Sequence, residues 1–268
     1  MELLKTGQFF GQTNQRTHLN GLTITDTEYT HDKVDWHHHE NPYFTFILKG
    51  AVLEGNKKEI YHCAAGSLLF HNWEDAHYNI KPPGFTRGFH IEIDHQWLTQ
   101  FDIKLDNIQG SISISNPNVK LLFYKLFKES KAKDLESQLA IPALLISCLL
   151  EMNDTKPINS SKIPGWIKIL KELLHDQPSQ VSSLSCLSGI IGIHPVHLSR
   201  YFPLYFGCTL SEYLRKIKIT KALAMLGDNR RSLVEIALDC GFADQSHFNR
   251  CFKENTGVTP KTYRGLYV

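Results

Sequence analysis

The stretch from Ser232 to Arg264, SLVEIALDCGFADQSHFNRCFKENTGVTPKTYR, constrains this chain most, because the chain carries it in two copies. At an offset of 50, Leu198, Arg200, Phe202, Gly207, Thr209 and Tyr213 recur as Phe248, Arg250, Phe252, Gly257, Thr259 and Tyr263. Six matches at one offset mark an internal repeat. Each copy has a small residue, a turn glycine and a core apolar residue: Ser188, Gly192 and Leu198, then Ala237, Gly241 and Phe248 with one extra turn residue. Ser232 and Glu235 form a capping box, Asp244 can cap the next helix, and Phe248 and Phe252 share one helix face. Gln245, Ser246, Asn249 and Arg250 fall on another face, able to hydrogen-bond base edges or phosphates. Two short helices about a tight turn, with this outward chemistry, are the sequence form of a helix-turn-helix. Core packing explains the repeated aromatics and glycines. It does not explain an arginine repeated two residues after a core position.

Between the copies, Thr209 and Glu212 form a second capping box, starting a helix to Leu226 with Leu210, Leu214, Ile217 and Ala222 inward. Such a rigid connector would hold two reading heads one turn of B-DNA, about 34 Å, apart. Ahead of them, Trp166–His175 reads as a helix with Ile167, Leu170, Leu173 and Leu174 facing inward. Pro203 stands where the second copy has Lys253. Its missing donor and ring clash predict a short or bent first recognition helix.

The remaining sequence reads differently. From Thr23 to Asp94, short β-rich runs (Thr23–Tyr29, Tyr43–Leu48, Ala51–Leu53, Glu59–Cys63, Ser67–Phe70, His77–Ile80 and Arg87–Ile93) alternate with turn residues, which predicts an all-β sandwich or barrel. Asn116-Pro117 opens a helix with Val119, Leu122, Phe123, Leu126 and Phe127 at helical spacing. Leu135–Met152 is apolar on several faces, with Pro142 expected to kink it or start a new helix. It predicts burial on more than one side, within the monomer or in a dimer. Residues 153–163 read as a linker. The 268 residues suit two domains, and 42% hydrophobic with 21% charged residues is ordinary globular composition. The net charge of +2 hides a split: residues 162–268 hold 14 Lys and Arg against 8 Asp and Glu, leaving 15 against 19 before them. No run of about 18 apolar residues and no basic-then-apolar leader is visible, so neither a membrane span nor a secretory signal is expected. Six scattered cysteines without a CxxC pair predict reduced thiols and a cytoplasmic location.

His37 and His39, with His77 eleven residues after Gly66, resemble the two half-motifs of the cupin barrel, whose histidines point into the barrel mouth. The carboxylate expected after the first pair is absent: Tyr43 and Phe44 occupy its place, and Glu40 follows too closely. No metal or other cofactor is therefore expected. A small-molecule or vestigial pocket is, with His71, Trp73, Glu74 and Tyr78 in the same region and His37, His39, His77 and Tyr78 as its candidate lining. The rival reading is a metal-dependent cupin enzyme using His37, His39 and His77.

Residues 164–267 resemble the DNA-binding domain of the AraC/XylS transcription regulators, the Ser232–Arg264 stretch nearly throughout. The resemblance implies seven helices and two helix-turn-helix units, about 184–206 and 233–256, in an all-α domain at 164–268. It also implies a cupin-like effector and dimerisation domain at 1–152, so β then α. Its base-reading positions fall on Val196, Ser199 and Arg200 with His197 beside them, and on Gln245, Ser246, Asn249 and Arg250. Lys253, Thr259 and Lys261 are placed to position phosphates. The expected partners are double-stranded promoter DNA, a small-molecule effector and a second copy docked through the helices in 117–152. RNA polymerase is a further candidate partner, and no enzymatic activity is expected.

Overall fold

The computed structural model describes residues 1–73, 75–105, 110–132, 134–153, 164–176 and 184–267. The expected linker and Glu74 therefore lie outside the described residues, apart from Asn153. A sheet-rich N-terminal part precedes a helical C-terminal part. A five-stranded sheet runs β1 (Glu2–Leu4), β4 (Lys33–His39), β9 (His77–Ile80), β6 (Ala51–Asn56), β7 (Ile60–Ala64). A six-stranded sheet runs β11 (Ser111–Ser113), β8 (Leu68–His71), β5 (Tyr43–Lys49), β10 (Arg87–Ile93), β3 (Leu22–Glu28), β2 (Gln12–Leu19). The two sheets remain separate, so the barrel is not closed. The seven expected strands are present within a residue or three at their ends. β1, β2, β4 and β11 are additional, as is the short helix α1 (His95–Gln100).

The period of two along each strand divides the six-stranded sheet into two rows. Phe44, Phe46, Leu48, Leu68, Phe70, Phe89, Ile91 and Ile93 join one core with Val119, Phe123, Leu126 and Phe127 of α2 (Pro117–Lys131). The alternate residues Tyr43, Thr45, His71, His90 and Glu92 are buried as well, on the opposite face. A sheet covered on both sides explains why these strands read as nearly continuous buried runs.

Asn116 caps α2, with Pro117 in its first turn as expected. α3 (Leu135–Asn153) continues through Pro142. The expectation that no segment is long and apolar enough to span a membrane is corrected here. Leu135–Met152 passes by length and composition, because a mean over eighteen residues tolerates its few polar positions, and 28% of that window is buried.

Seven helices follow among the described residues: α4 (Gly165–Asp176), α5 (Leu184–Ile191), α6 (Pro195–Phe206), α7 (Leu210–Leu226), α8 (Leu233–Asp239), α9 (Gln245–Thr256) and α10 (Pro260–Arg264). α4, α5 and α6 bury Leu170, Leu174, Leu187, Leu198 and Phe202 in a core of their own with Leu210. α8, α9 and α10 instead share the large core of the six-stranded sheet, through Ile236, Phe248, Phe252 and Tyr263. The Tyr263 hydroxyl donates to the Tyr124 carbonyl at 2.6 Å, tying α10 to α2.

A buried charge cluster ties the same parts. Asp26 accepts from Arg87 Nε and Nη2, both at 2.7 Å, and from the Lys131 ammonium; Arg87 Nη1 donates to the Tyr267 carbonyl at 2.9 Å. Burial alone would raise the Asp26 carboxyl, but its bonds to Arg87 and Lys131 outweigh that and hold it below the usual carboxylate value. Asp26→Asn is expected to cost about 3 kcal/mol, since it leaves two half-buried cations without their counter-charge. Urea unfolding at pH 7 measures it. The ionised carboxylate stabilises above its unfolded pKa of about 3.9, so the gap to the variant closes as pH falls through the lower folded value.

Candidate nucleic-acid interface and interior cavity

The two helix pairs close their turns in the same way. The amide of Ile193 donates to the Ser188 carbonyl at 3.2 Å and that of Phe242 to the Ala237 carbonyl at 3.0 Å, each spanning five residues. Between them Gly192 and Gly241 have φ of 71° and 74°, a left-handed backbone that glycine adopts without a Cβ clash. His194 caps α6 directly, whereas Ala243 intervenes before Asp244 caps α9. That is the extra turn residue. Both helices end at left-handed glycines, Gly207 and Gly257. The capping boxes at Thr209–Glu212 and Ser232–Glu235 are both formed.

The expected shortening of α6 does not occur: α6 and α9 each have 12 residues. Pro203 sits one turn from the end of α6. It costs a single donor there, and its own carbonyl still receives the Gly207 amide at 3.0 Å.

On α6, Val196, His197, Ser199 and Arg200 are all exposed while Leu198 and Phe202 are buried. The His197 ring stacks on Tyr201 at 4.3 Å, and Arg200 also lies over Tyr201. On α9, Ser246, Arg250 and Lys253 are exposed, with Gln245 half-buried. Asn249 departs from expectation: it is half-buried, and its Oδ1 is shielded without a partner among the described residues. Its carbonyl thus faces the protein. Thr259 is exposed, but its hydroxyl caps α10 by accepting from the Thr262 amide at 3.2 Å. Lys261 is exposed on the first turn of α10.

Residues 187–265 match a family described as a helix-turn-helix domain. This region is an AraC-type helix-turn-helix domain. The probable transcription factor PqrA of Proteus vulgaris is 41% identical over 68 residues, covering 25% of this chain and 56% of that protein. The bifunctional transcriptional activator/DNA repair enzyme AdaA of Bacillus subtilis is 30% identical over 113 residues, covering 41% and 53%. The chain thus spans about half the length of these two relatives. A crystal structure of ToxT from Vibrio cholerae aligns over 92% of this chain and 98% of its own, at 13% identity and a TM-score of 0.37.

The second candidate site lies on the inner face of the β part. A cavity of about 40 Å³ is lined by His37, His39, Tyr43, Glu54, His77 and His90, among others. A register shift in β4 between Val34 and His37 turns Val34, His37 and His39 all inward. His77 enters from β9, where the alternation sends Tyr78 outward onto Trp36, ring centroids 5.0 Å apart. Tyr78 is therefore no lining residue. Trp73 is also outside, against His95. Glu40 is turned away, accepting from the Thr6 amide and hydroxyl at 2.6 Å.

Glu54 and His90 were missed from sequence, and His71 lies directly behind the cavity. The signal was present in the alternation Val52, Glu54 on β6 and Gly88, His90, Glu92 on β10. His71 Nε2 and Glu54 Oε1 lie 3.0 Å apart, both buried. Burial pushes the Glu54 carboxyl up to about 8, so it keeps its proton near neutral pH. This is a neutral pair despite the short distance. Burial likewise pushes His37, His39 and His71 below the ordinary histidine value, and His77 and His90 to about 3.

A histidine held neutral in the fold stabilises above its unfolded pKa of about 6.5, and that contribution is lost as pH falls toward the folded value. Each such group contributes a slope of about 1.4 kcal/mol per pH unit in that window. His90→Gln is accordingly expected to flatten the loss of stability between about pH 6 and 4 by one proton's worth. Urea titrations across that range read the slope directly.

Proposed function

We propose that the chain is a sequence-specific transcription regulator that grips double-stranded promoter DNA through two helix-turn-helix units and is tuned by a ligand in its β part. One observation carries this reading. α6 and α9, of equal length and entered through identically closed turns, expose hydrogen-bonding side chains on their first turns while their other faces are buried. The units span about residues 184–206 and 233–256. Val196, His197, Ser199 and Arg200 read bases from the first, and Gln245, Ser246 and Arg250 from the second. Asn249 keeps only the two N–H groups of its Nδ2 for this work. α7 is the beam between them; its 17 residues give a rise of roughly 25 Å. The β part is a cupin-like effector domain occupying residues 1–152, and the protein acts in the cytoplasm rather than as an enzyme.

Arginine reads guanine with two hydrogen bonds, whereas a lysine on phosphate positions without specifying. Arg250→Ala is expected to lose about 1–3 kcal/mol of discrimination between cognate and altered operators. Lys253→Ala should weaken all sequences alike and lower the salt slope by about one. Anisotropy titrations on duplexes selected from a random pool decide it: unchanged sequence preference in Arg250→Ala sinks the assignment.

The same regulator is proposed to be a homodimer through α2 and α3. Leu135, Leu139, Ala143, Ile146 and Leu150 form one stripe on α3, and Leu135, Leu139 and Leu150 are 68%, 69% and 56% exposed. A second copy of that stripe would cover it with matching apolar surface. Leu139→Asp is expected to give a monomer in sedimentation with an unchanged circular dichroism spectrum; a dimer of undiminished affinity would refute this interface.

A further inference from the structure

The turn of the second helix pair is held differently from that of the first. In the first, the Ser188 hydroxyl donates across the turn to the Ile193 carbonyl. The matching residue in the second is Ala237, fully buried and without a hydroxyl. At the end of α8 the amides of Cys240, Gly241 and Phe242 bond the carbonyls of Ile236, Leu238 and Ala237. The carbonyls of Asp239 and Gly241 lie beyond those bonds, and a helix supplies no partner of its own for such terminal acceptors.

Two lysines of α7 take them. Lys218 Nζ donates to the Gly241 carbonyl at 2.7 Å, and Lys221 Nζ donates to the Asp239 carbonyl at 2.6 Å. Three residues apart on one helix, the two lysines share a face. Lys218 Nζ also lies over the Phe242 ring, 5.7 Å from its centroid. The carbonyl end of a helix carries partial negative charge, so cations suit it. Arg231 adds a third, paired with the Asp239 carboxylate. A Cβ placed on Gly241 would meet the Lys218 ammonium at 3.5 Å, whereas one on Gly192 meets nothing within 4 Å among the described residues. The first turn therefore has a hydroxyl inside it, and the second has two ammonium groups outside it.

We infer that Lys218 and Lys221 are positioning residues for the second recognition helix and not phosphate contacts, although both are cations of the basic half. They fasten the α8–α9 turn to α7, the helix that also connects the two heads. In doing so they set the pose in which α9 presents Gln245, Ser246 and Arg250. The consequence rests on the proposed reading of DNA by α9; the fastening itself belongs to the free protein. A lysine on phosphate strengthens binding to every duplex alike and adds about one to the salt slope. A lysine engaged by a backbone carbonyl adds nothing to that slope. Its loss is felt where α9 must meet base edges in one orientation.

Two measurements on the full chain test this, comparing the wild type with the double variant Lys218→Met, Lys221→Met, which removes both charges and keeps apolar stems. The first is amide hydrogen exchange of the free protein. Exchange over residues 239–243 is expected to quicken by about 10-fold, with the first turn at 191–194 unchanged. Unchanged protection at 239–243 would overturn the fastening whatever the DNA result. The second is anisotropy titration over a range of salt, on a duplex selected by the wild type and on its shuffled counterpart. The variant is expected to bind the selected duplex about 10-fold more weakly and the shuffled one within about 2-fold, with the salt slope unchanged. The double variant Lys218→Arg, Lys221→Arg keeps both donors and should behave as the wild type does. Equal weakening on both duplexes with a slope lower by about two would make the lysines phosphate contacts and overturn the inference. Faster exchange with selectivity intact would overturn the positioning role as well. A wild type that prefers no duplex defeats the regulator reading alone, and the exchange result still decides the fastening.

Discussion

The aromatic row Phe44, Phe46, Phe70 and Phe89 on the outer face of the six-stranded sheet must be kept from water, and most of the architecture follows from how that is done. α2 covers it with Val119, Phe123, Leu126 and Phe127. At about 25 cal/mol per Å² of apolar surface, each fully buried ring contributes on the order of 2–3 kcal/mol. α2 is apolar on more than one side, so it in turn requires cover. α7, α9 and α10 supply it, extending one core from the strands into the helix-turn-helix region.

α7 is consequently shared between two cores. Leu210 at its start belongs to the cluster of α4, α5 and α6, while Ile219, Ala222, Leu223 and Leu226 belong to the large one. The second helix pair is thus packed as part of the β–α2 body. The first is attached through one end of α7 and its own small core. In the proposed double reader this sets a hierarchy: α9 is positioned by the β part, and α6 by the stiffness of a single helix.

The helical half was legible because its signals are local. Capping boxes, turn glycines and an i, i+4 pair of phenylalanines act within a few residues, and each appears where its spacing placed it. Pro203 did not shorten its helix: a proline one turn from a helix end removes a single bond, and the Gly207 amide still bonds the Pro203 carbonyl. For Asn249, spacing assigns a face but not which end of the amide is shielded. The cavity was only half legible. His37, His39 and His77 share a motif, but Glu54 and His90 come from strands whose neighbours are set by long-range pairing. Tyr78 shows the converse, a residue adjacent in sequence to a lining histidine and sent outward by the pleat. β4 escaped notice because its bulge breaks the alternation that identifies a strand.

The same bulge makes the interior usable. A regular strand would place His37 and His39 on one face but Val34 on the other; the extra residue brings all three inward and crowds the imidazoles against β9. Keeping them neutral is a stability cost at low pH, and β10 connects one of them, His90, to the helical part. β10 carries His90 into the cavity and, three residues earlier, Arg87 to Asp26 and the Tyr267 carbonyl. A displacement of β10 at the cavity therefore moves the residue that holds the C-terminal turn, and with it Tyr263 on α10, which packs on Phe252 of α9. That is a continuous route of buried contacts from the histidine wall to α9, without passing through α6.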